Sequence, residues 1–456
     1  MEGKGRRSRE PLAGKMAGTL GPITVSTKQQ QVAKLAKDAP GMVITTLAHH
    51  MDLEWLKEAY RRTRKSGAVG TDGQTSDAFS RDLEGNLTRL LEEAKSGTYL
   101  APPVKRAYIP KSQGGEARPI GIPTFEDKVM QRAVVMLLEP IYEQDFLPCS
   151  YGFRPERSAH QALEVFWKQM MDMGGGWVIE LDIQKCFEML GHQHLREILS
   201  QRVRDGVVQR MISKWLNAGV MEDGSLHYPE SGTPQGGVIS PLLANVYLYE
   251  VVDVWFEKEV KPRLKGKGFL IRYADDIVLG LACEEDAHRV MEVLPKRFGK
   301  YGLALHPEKT RMVPFRPPRG GGGEPPGSFD FLGFTHYWVK SKKGNWVIGR
   351  RTAKGRLAGA IKRVAVWCRR YRHLPIRVQH EALKKKVAGH YQYYGMTGNW
   401  KGLSRFGFSV RAVWVKWLRR RSQRHRSLEW FNAMLKRFPL PKPALSVNYL
   451  RCVASL

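Results

Sequence analysis

The sequence predicts an α+β protein, and three observations support this class. Amphipathic helical periodicity occurs in the first 170 residues, for example in DLEGNLTRLLEEAKSG (82–97). Short runs rich in β-branched and aromatic residues follow, including WVIELDI (177–183) and FLIRYADDIVL (269–279). Beyond Arg350 the pattern becomes helical again and strongly basic. With 456 residues and an apolar fraction of 42%, the chain can form the cores of two or three domains.

A large excess of basic residues indicates a polyanionic partner. Lys and Arg number 74 against 44 Asp and Glu, which gives a formal net charge of +30. Nucleic acid is the polyanion that such an excess indicates first. No run of about 20 apolar residues could span a bilayer, and the basic start MEGKGRRSREPLAGK lacks the apolar core of a secretion signal. We therefore expect a cytoplasmic protein with no membrane partner, associated with the nucleoid when it holds nucleic acid.

The cysteines exclude two classes of small module. They lie far apart and form no CxxC pair, so neither a zinc module nor a disulfide framework is indicated. We expect reduced thiols in or near the core at Cys149, Cys186, Cys283, Cys368 and Cys452.

The N-terminal part is predicted to be mostly helical. Residues 1–44 are rich in Gly, Lys, Arg and Gln with weak periodicity, which is typical of a basic arm without regular structure. A helix is expected over LAHHMDLEWLKEAYRRTRKSG (47–67), and a largely buried one over DKVMQRAVVMLLEPIYEQDF (127–146). Between them, the β-like runs PPVKRAYIP and ARPIGIP predict a hairpin with a long turn.

The central part is predicted to alternate strands with glycine-rich connections. GGGWVIELDIQKCF (174–187) predicts a strand, and GFLIRYADDIVLGL (268–281) predicts a hairpin. RPPRGGGGEPPGS (316–328) has the composition of a loop, and FDFLGFTHYW (329–338) is strand-like. In SGTPQGGVISPLLAN (231–245) a glycine-rich turn precedes an apolar helix. Such a turn lets the backbone approach a ligand closely, although an ordinary helix start has the same pattern.

The C-terminal part is predicted to be a separate helical module. From Arg350 to Arg437 there are 24 Lys or Arg, and the acidic residues are only Glu381 and Glu429. Tryptophans and tyrosines are interleaved with the basic residues, as in nucleic-acid-binding surfaces.

Two adjacent carboxylates interrupt an apolar run at Asp275 and Asp276. Two such charges 4 Å apart repel by roughly 1 kcal/mol in water and by about 4 kcal/mol near a protein surface. A hairpin turn is one explanation, because Asp is a common turn residue. A divalent-cation site is the other. Asp182 is expected at the end of a neighbouring strand, and three converging carboxylates would suit two Mg²⁺ ions about 3.5–4 Å apart.

Six motifs, in their order along the chain, resemble those of the reverse transcriptases encoded by bacterial group II introns. They are RPIGIPTFEDKVMQRA, SYGFRPERSAHQAL, GTPQGGVISPLLANVYL, YADD, GLALHPEKT and FLGF. The resemblance covers roughly residues 45–440. It implies a right-hand polymerase fold, with fingers at 45–172, a palm with an antiparallel sheet at 173–340, and a basic helical thumb and maturase region (domain X) at 341–440. The arm at 1–44 and a tail at 441–456 flank these domains.

The resemblance also implies roles for individual residues. Asp182, Asp275 and Asp276 would be catalytic and would bind two Mg²⁺ ions, which Mn²⁺ can replace, together with the backbone carbonyl of Ile183. The implied contacts to the deoxynucleoside triphosphate are Lys111 and Arg118 at the triphosphate, Phe187 as the gate against ribose, Gln235 beside the base pair and Lys309 near the pyrophosphate. The implied primer–template contacts are Phe331, Leu332 and Gly333, and the implied RNA contacts are Arg419, Arg420 and Arg421.

Two features depart from the family pattern. Glu188 follows the gate where a second Asp is usual, and Gly191 stands where an acidic residue is frequent. After LPKPALSVNYLRCVASL no endonuclease module follows, so target cleavage or priming is expected to come from elsewhere.

The implied function is that of an RNA-directed DNA polymerase and maturase. It would bind group II intron RNA, assist splicing, and copy RNA from a DNA primer with dNTPs for insertion into target DNA. A domesticated relative in phage defence or DNA repair is one alternative. An RNA-binding splicing factor with a silent polymerase site is another, and the three retained carboxylates argue against it.

Overall fold

The computed structural model describes residues 24–109, 117–222, 224–228, 231–233, 236–318, 327–421 and 427–446. Its α-helices are α1 (Val25–Asp38), α2 (Leu53–Arg62), α3 (Ser76–Ser80), α4 (Leu83–Ser96), α5 (Phe125–Asp145), α6 (Ala159–Asp172), α7 (His192–Ser200), α8 (Gly206–Leu216), α9 (Ser240–Leu248), α10 (Glu284–Lys300), α11 (Lys354–Arg370), α12 (Ile376–Tyr394), α13 (Trp400–Arg419) and α14 (Leu428–Arg437). Its strands are β1 (Val104–Ile109), β2 (Arg118–Ile122), β3 (Gly176–Asp182), β4 (Val220–Glu222), β5 (Ser225–His227), β6 (Gly268–Tyr273), β7 (Asp276–Leu281), β8 (Arg311–Phe315), β9 (Phe329–Phe331), β10 (Phe334–Lys340) and β11 (Trp346–Thr352). This mixture confirms the α+β class.

The N-terminal segment contains a helix that its composition does not predict. Helix α1 packs along α5 and buries Val32 and Ala36. The side-chain amide of Gln29 also donates to the carbonyl of Met136 at 3.0 Å. The interpretation of residues 1–44 as an arm without regular structure is therefore wrong from Val25 onward, because Val32 and Ala36, one helical turn apart, are buried in the first apolar core. Residues 1–23 lie outside the described residues.

Helix α5 is the buried support of the N-terminal half, as predicted. The Thr124 hydroxyl caps it by accepting the N–H of Asp127 at 3.2 Å, and Pro140 lies inside it without ending it. The predicted hairpin is formed by β1 and β2, with Ile109 opposite Arg118. Strand β1 also pairs in parallel with β4, so the sheet has the order β2-β1-β4-β5.

The central sheet has the order β6-β7-β3-β8, and its neighbouring strands are antiparallel. Both of its faces are buried. Ile179 and Leu279 belong to one apolar core, which includes α5 and α9, whereas Val178 and Val278 belong to a second core with α6, β9 and β10. Because side chains alternate along a strand, the even-numbered positions of β3 and β7 face the second core.

The FDFLGFTHYW segment, predicted to be strand-like, forms two strands joined by a turn. Leu332 and Gly333 have φ angles of 48° and 81° and form a two-residue connection between β9 and β10. Strand β10 then pairs with β11 as far as Thr352. The predicted boundary between residues 340 and 341 falls inside this second hairpin, and the helical region begins at Lys354.

The C-terminal helices α11 to α14 pack around a third apolar core that includes Val387, Phe406 and Trp414. This confirms the predicted helical module. Within the described ranges, no helix has both the length and the apolar character needed to cross a membrane. The four cysteines in those ranges are free thiols, as predicted, and Cys452 lies outside them.

Candidate active site

Asp182 and Asp276 face each other across two neighbouring strands. Asp182 ends β3, Asp276 begins β7, and their Cα atoms are partners in the antiparallel register. Asp275 precedes Asp276 in the two-residue turn from β6 to β7, in which Ala274 has a left-handed φ of 58°. The structure therefore places all three predicted residues at one end of the central sheet. The hairpin turn, one of the two explanations that the sequence offers, is confirmed, and the divalent-cation site stays a prediction.

A buried arginine supports this turn from inside the protein. The Arg272 guanidinium is bidentate to the carboxylate of Asp253, with distances of 2.8 Å from Nε to Oδ1 and 2.6 Å from Nη2 to Oδ2. Its Nη1 donates to Asn245 Oδ1 at 2.7 Å and to the carbonyl of Ala274 at 3.3 Å. The Asn245 amide donates in turn to the carbonyl of Gly152 at 2.7 Å. Arg272 thus ties the turn to α9 and to the loop before α6.

Two backbone features allow this network to form. After α9 the chain continues with π-helical geometry over Tyr249–Val254. A π-helical turn holds more residues than an α-helical one, and Asn245 and Asp253 both reach the same guanidinium. A Cβ atom on Gly152 would lie 2.2 Å from the backbone nitrogen of Ala274, so only glycine fits there. This network was not predicted from the sequence. Arg272 inside FLIRY and Asp253 inside VVDVW nevertheless indicate it, because a charge in a buried run needs a partner.

Electrostatics distinguish Asp276 from its neighbours. Desolvation by the surrounding protein is the main cause that raises its pKa to about 6; repulsion from Asp275 and Asp182 adds to the shift, whereas Arg356 and Arg118 oppose it. The side chain itself is exposed, and solvent screening therefore limits the shift. Arg356 on α11 was not predicted from the sequence, whereas Arg118 on β2 was expected at the triphosphate.

The donor chemistry of the three carboxylates fits Mg²⁺, which prefers oxygen ligands. In the described ranges, however, no three His, Cys, Asp or Glu side chains converge closely enough to form a ready-made metal site. The Lys309 Nζ lies 3.2 Å from Asp182 Oδ2, so this ammonium partly neutralises the site. Ile183, whose carbonyl is an implied ligand, follows Asp182 directly and forms an isolated antiparallel β-bridge with Leu305.

Phe187 lies beside the glycine-rich segment. Its ring is half-buried against the first apolar core, and its carbonyl accepts the N–H of Thr233 at 2.7 Å. Gly232 has a φ of 97°, and a Cβ there would lie 2.7 to 2.9 Å from backbone atoms of Glu188. This glycine therefore allows a close backbone approach to another segment of the chain, and the predicted approach to a ligand stays a prediction.

Helix α5 and strand β2 hold the rest of this segment. The Gln131 Oε1 accepts the N–H of Val238 at 2.8 Å, and a Cβ on Gly236 would lie 2.6 Å from the carbonyl oxygen of Gly121. Two of the predicted nucleotide contacts, Lys111 and Gln235, lie outside the described residues.

A buried polar cluster on α5 was also missed by the sequence analysis. Asp127 accepts hydrogen bonds from the Tyr99 hydroxyl and, at 3.0 Å, from Trp215 Nε1. Burial is the main cause that raises the pKa of Asp127 to about 7, and the two hydrogen bonds oppose it. Asp127 lies one helical turn before Gln131, so the cluster supports the helix that holds the glycine-rich segment.

The turn at Leu332 and Gly333, predicted to support the primer, contacts α12. The Tyr393 hydroxyl donates to the carbonyl of Leu332 at 2.8 Å, and a Cβ on Gly333 would lie 2.9 Å from the Tyr394 Oη. Phe331 is buried in the second core. The segment therefore joins the sheets to the C-terminal helices.

The three arginines predicted to bind RNA lie at the end of α13. Arg419 lies over the ring of Phe431 and Arg420 over that of Trp417, at 5.1 and 5.5 Å from the centroids. Arg421 Nη2 donates to a backbone carbonyl at 3.1 Å. Arg419 and Arg420 nevertheless remain exposed.

Comparison with known proteins shows which family this chain resembles. The family model described as reverse transcriptase (RNA-dependent DNA polymerase) matches residues 109–336, which include all three carboxylates. Protein YkfC of Escherichia coli K12 is 40% identical over 330 residues, covering 64% of this chain and 85% of that protein. The group II intron-encoded protein LtrA of Lactococcus lactis is 37% identical over 247 residues, covering 52% of this chain and 40% of LtrA. Nuclear intron maturase 2 of Arabidopsis thaliana is 29% identical over 177 residues, covering 30% of this chain and 24% of that protein.

Proposed function

The chain belongs to the reverse transcriptase (RNA-dependent DNA polymerase) family, and we propose that it copies RNA into DNA and serves a group II intron as its maturase. The observation that carries the polymerase proposal is the pairing of Asp182 with Asp276 beside Asp275, at the end of a buried antiparallel sheet. The proposed domains are those predicted from the sequence, except that the palm extends to Thr352 and the fingers include α1.

Within this proposal, Asp182, Asp275 and Asp276 hold divalent cations, Mg²⁺ or Mn²⁺, with the carbonyl of Ile183. When bound, the two ions supply charge stabilisation for nucleotidyl transfer. Arg272 orients the turn that carries Asp275 through its bond to the Ala274 carbonyl.

The nucleotide is held by residues around these carboxylates. Arg118 and Lys111 bind the triphosphate, for which a guanidinium fork and a point charge are suited. Lys309, which lies beside Asp182, would contact the pyrophosphate. Phe187 restricts the space beside the sugar, and Gln235 lies beside the new base pair.

The maturase proposal rests on charge and on the relatives. The net charge of +30 and the basic helical module suit a large structured RNA, and LtrA is described as a group II intron-encoded protein. We propose intron RNA, an RNA template with a DNA primer, dNTPs and target DNA as its partners.

Primer extension tests the polymerase proposal. Wild-type protein should extend a DNA primer on an RNA template with dNTPs and Mg²⁺, and Asp275→Asn should lose most of this activity because a charge needed by the cations is removed. Asp77→Asn, which changes an exposed carboxylate on α3, is the matched control. Extension by Asp275→Asn at the wild-type rate would refute the assignment.

A splicing assay on RNA from the flanking locus tests the maturase proposal. Protein-dependent splicing is expected if that RNA folds as a group II ribozyme. Robust extension without any splicing would favour the domesticated role, whereas splicing without extension would favour an RNA-binding factor.

A further inference from the structure

Helix α13 has one exposed face that is cationic and has an aromatic ring near its middle. Phe408 is 75% exposed and Trp400 is 53% exposed. All five basic residues of the helix are also exposed, and its sequence contains no carboxylate. They are Lys401, Arg405, Arg411, Lys416 and Arg419. With 3.6 residues per turn, the other six side chains lie within about 80° of Phe408 on a helix about 30 Å long.

This arrangement costs folding stability in two ways. Like charges three or four residues apart on a helix repel each other, and an exposed phenylalanine forgoes the stabilisation of burial. In the parts of the chain that the structure describes, Lys401, Arg405 and Lys416 make no ion pair or hydrogen bond that would offset the repulsion. The opposite face has ordinary packing, with Leu403, Phe406, Val410 and Trp414 in the third core.

We propose that this α13 face binds an RNA segment that contains an unpaired nucleotide, whose base stacks on Phe408 while neighbouring phosphates contact the flanking cations. Charge complementarity favours a polyanion. An exposed ring favours an unpaired base, because bases inside a duplex are already stacked on each other. The inference rests on the proposed RNA-binding function and names the helix, the stacking ring and the kind of RNA element.

Two labelled RNAs test the proposal in the absence of dNTPs and Mg²⁺, so that catalysis is not involved. One is a hairpin with a single bulged 2-aminopurine, and the other is the same hairpin with that base paired. We expect wild-type protein to prefer the bulged RNA and to quench the 2-aminopurine fluorescence. Phe408→Ala should lose about 5- to 100-fold in affinity for the bulged RNA and should not quench. Phe408→Trp should keep both properties.

Two further variants separate stacking from charge and from general apolar contact. Val378→Ala, which removes a 50% exposed apolar side chain on α12, should bind like wild type. Replacing Lys401, Arg405 and Lys416 together by Gln should reduce the log–log salt slope by roughly 2 to 3, with the preference for the bulged RNA retained.

Equal binding of both RNAs by wild type, or wild-type quenching by Phe408→Ala, would overturn the inference alone. Failure of wild type to bind either RNA, with primer extension intact, would remove the RNA-binding part of the proposed function as well. If circular dichroism shows that Phe408→Ala is unfolded, Phe408→Trp and Phe408→Leu are compared with wild type in the same binding and quenching assays. Leucine is apolar but cannot stack as a ring does, so wild-type binding and quenching by Phe408→Leu would overturn the inference.

Discussion

The Arg272 guanidinium and the Asp253 carboxylate form an ion pair in which both side chains are fully inaccessible to solvent. Removing two charges from water is costly, and the pair is tolerated only because its geometry is bidentate and its remaining donors have acceptors. One of those acceptors is the carbonyl of Ala274, in the turn that carries Asp275. A pair 19 residues apart in sequence thus positions the proposed catalytic carboxylates.

Breaking this pair should destabilise the protein strongly. Asp253→Asn leaves a buried arginine without its counter-charge, and we expect a loss of about 3–5 kcal/mol in the free energy of unfolding, measured by urea denaturation. The double replacement Arg272→Met with Asp253→Leu should recover much of that stability, because apolar residues of similar volume replace a buried pair well.

Primer extension by the same double variant distinguishes positioning from simple stability. It should remain low, because the Ala274 carbonyl has lost its donor. Recovery of extension together with stability would mean that the pair has only a structural role.

Gly232→Ala should damage the contact between the glycine-rich segment and the Phe187 loop. The added Cβ would clash with the backbone of Glu188 and would also strain a φ of 97°. Gly41→Ala is the matched control, because its φ is 74° and its Cβ would meet nothing within 4 Å. We expect the free energy of unfolding to fall by about 1–3 kcal/mol more in the Gly232 variant than in the control. The Gly232 variant should also show a raised KM for dNTPs. Equal losses of stability in the Gly232 and Gly41 variants would mean that the close approach between Gly232 and Glu188 does not matter for stability.

Phe187→Ala should open space beside the nucleotide sugar and admit ribonucleotides. Single-turnover incorporation of dNTP and rNTP measures this discrimination directly. Met189→Ala is a suitable control, because Met189 is also half-buried against the first core and its loss perturbs packing without touching the proposed gate. Unchanged discrimination, or the same change in both variants, would refute the gate.

Asp127 should make stability depend on pH. Its pKa is about 7 in the folded protein against an ordinary 3.8, so between these values the folded state binds more protons than the unfolded state. Stability should therefore fall as pH rises from about 4 to 7 and stay low above that range. Asp127→Asn should flatten this dependence and raise the free energy of unfolding at pH 8. The increase should be at most roughly 4 kcal/mol, because each pKa unit corresponds to about 1.4 kcal/mol. A wild type that is more stable than Asp127→Asn at pH 8 would contradict this prediction.

Much of the fold follows from local patterns in the sequence. The helices α4 and α5, the strand β3 and the hairpin β6–β7 were all predicted, because their periodicity and turn residues are local signals. The three carboxylates were found for the same reason, since charges inside apolar runs stand out. The roles of all the predicted site residues stay predictions, and Lys111 and Gln235 also lie outside the described residues.

The missed features depend on contacts between distant segments. Arg272 directly precedes the YADD motif, yet its partners Asn245 and Asp253 come from another helix, and a π-helical segment has no clear sequence signal. Arg356 reaches Asp276 from α11 through tertiary packing. The turn at Gly333 was overlooked because the flanking phenylalanines continue the strand-like pattern.

We propose that one chain holds both a polymerase site and a separate RNA-binding surface. The most direct test of this proposal is a primer-extension assay and a splicing assay on the flanking RNA, run side by side on wild type and Asp275→Asn. We expect the variant to stop DNA synthesis but to splice nearly as well as wild type, because Asp275 lies in the turn at the end of the central sheet and the proposed RNA-binding residues lie on α13. Full DNA synthesis by Asp275→Asn, or loss of splicing to the same extent as synthesis in a correctly folded variant, would contradict it.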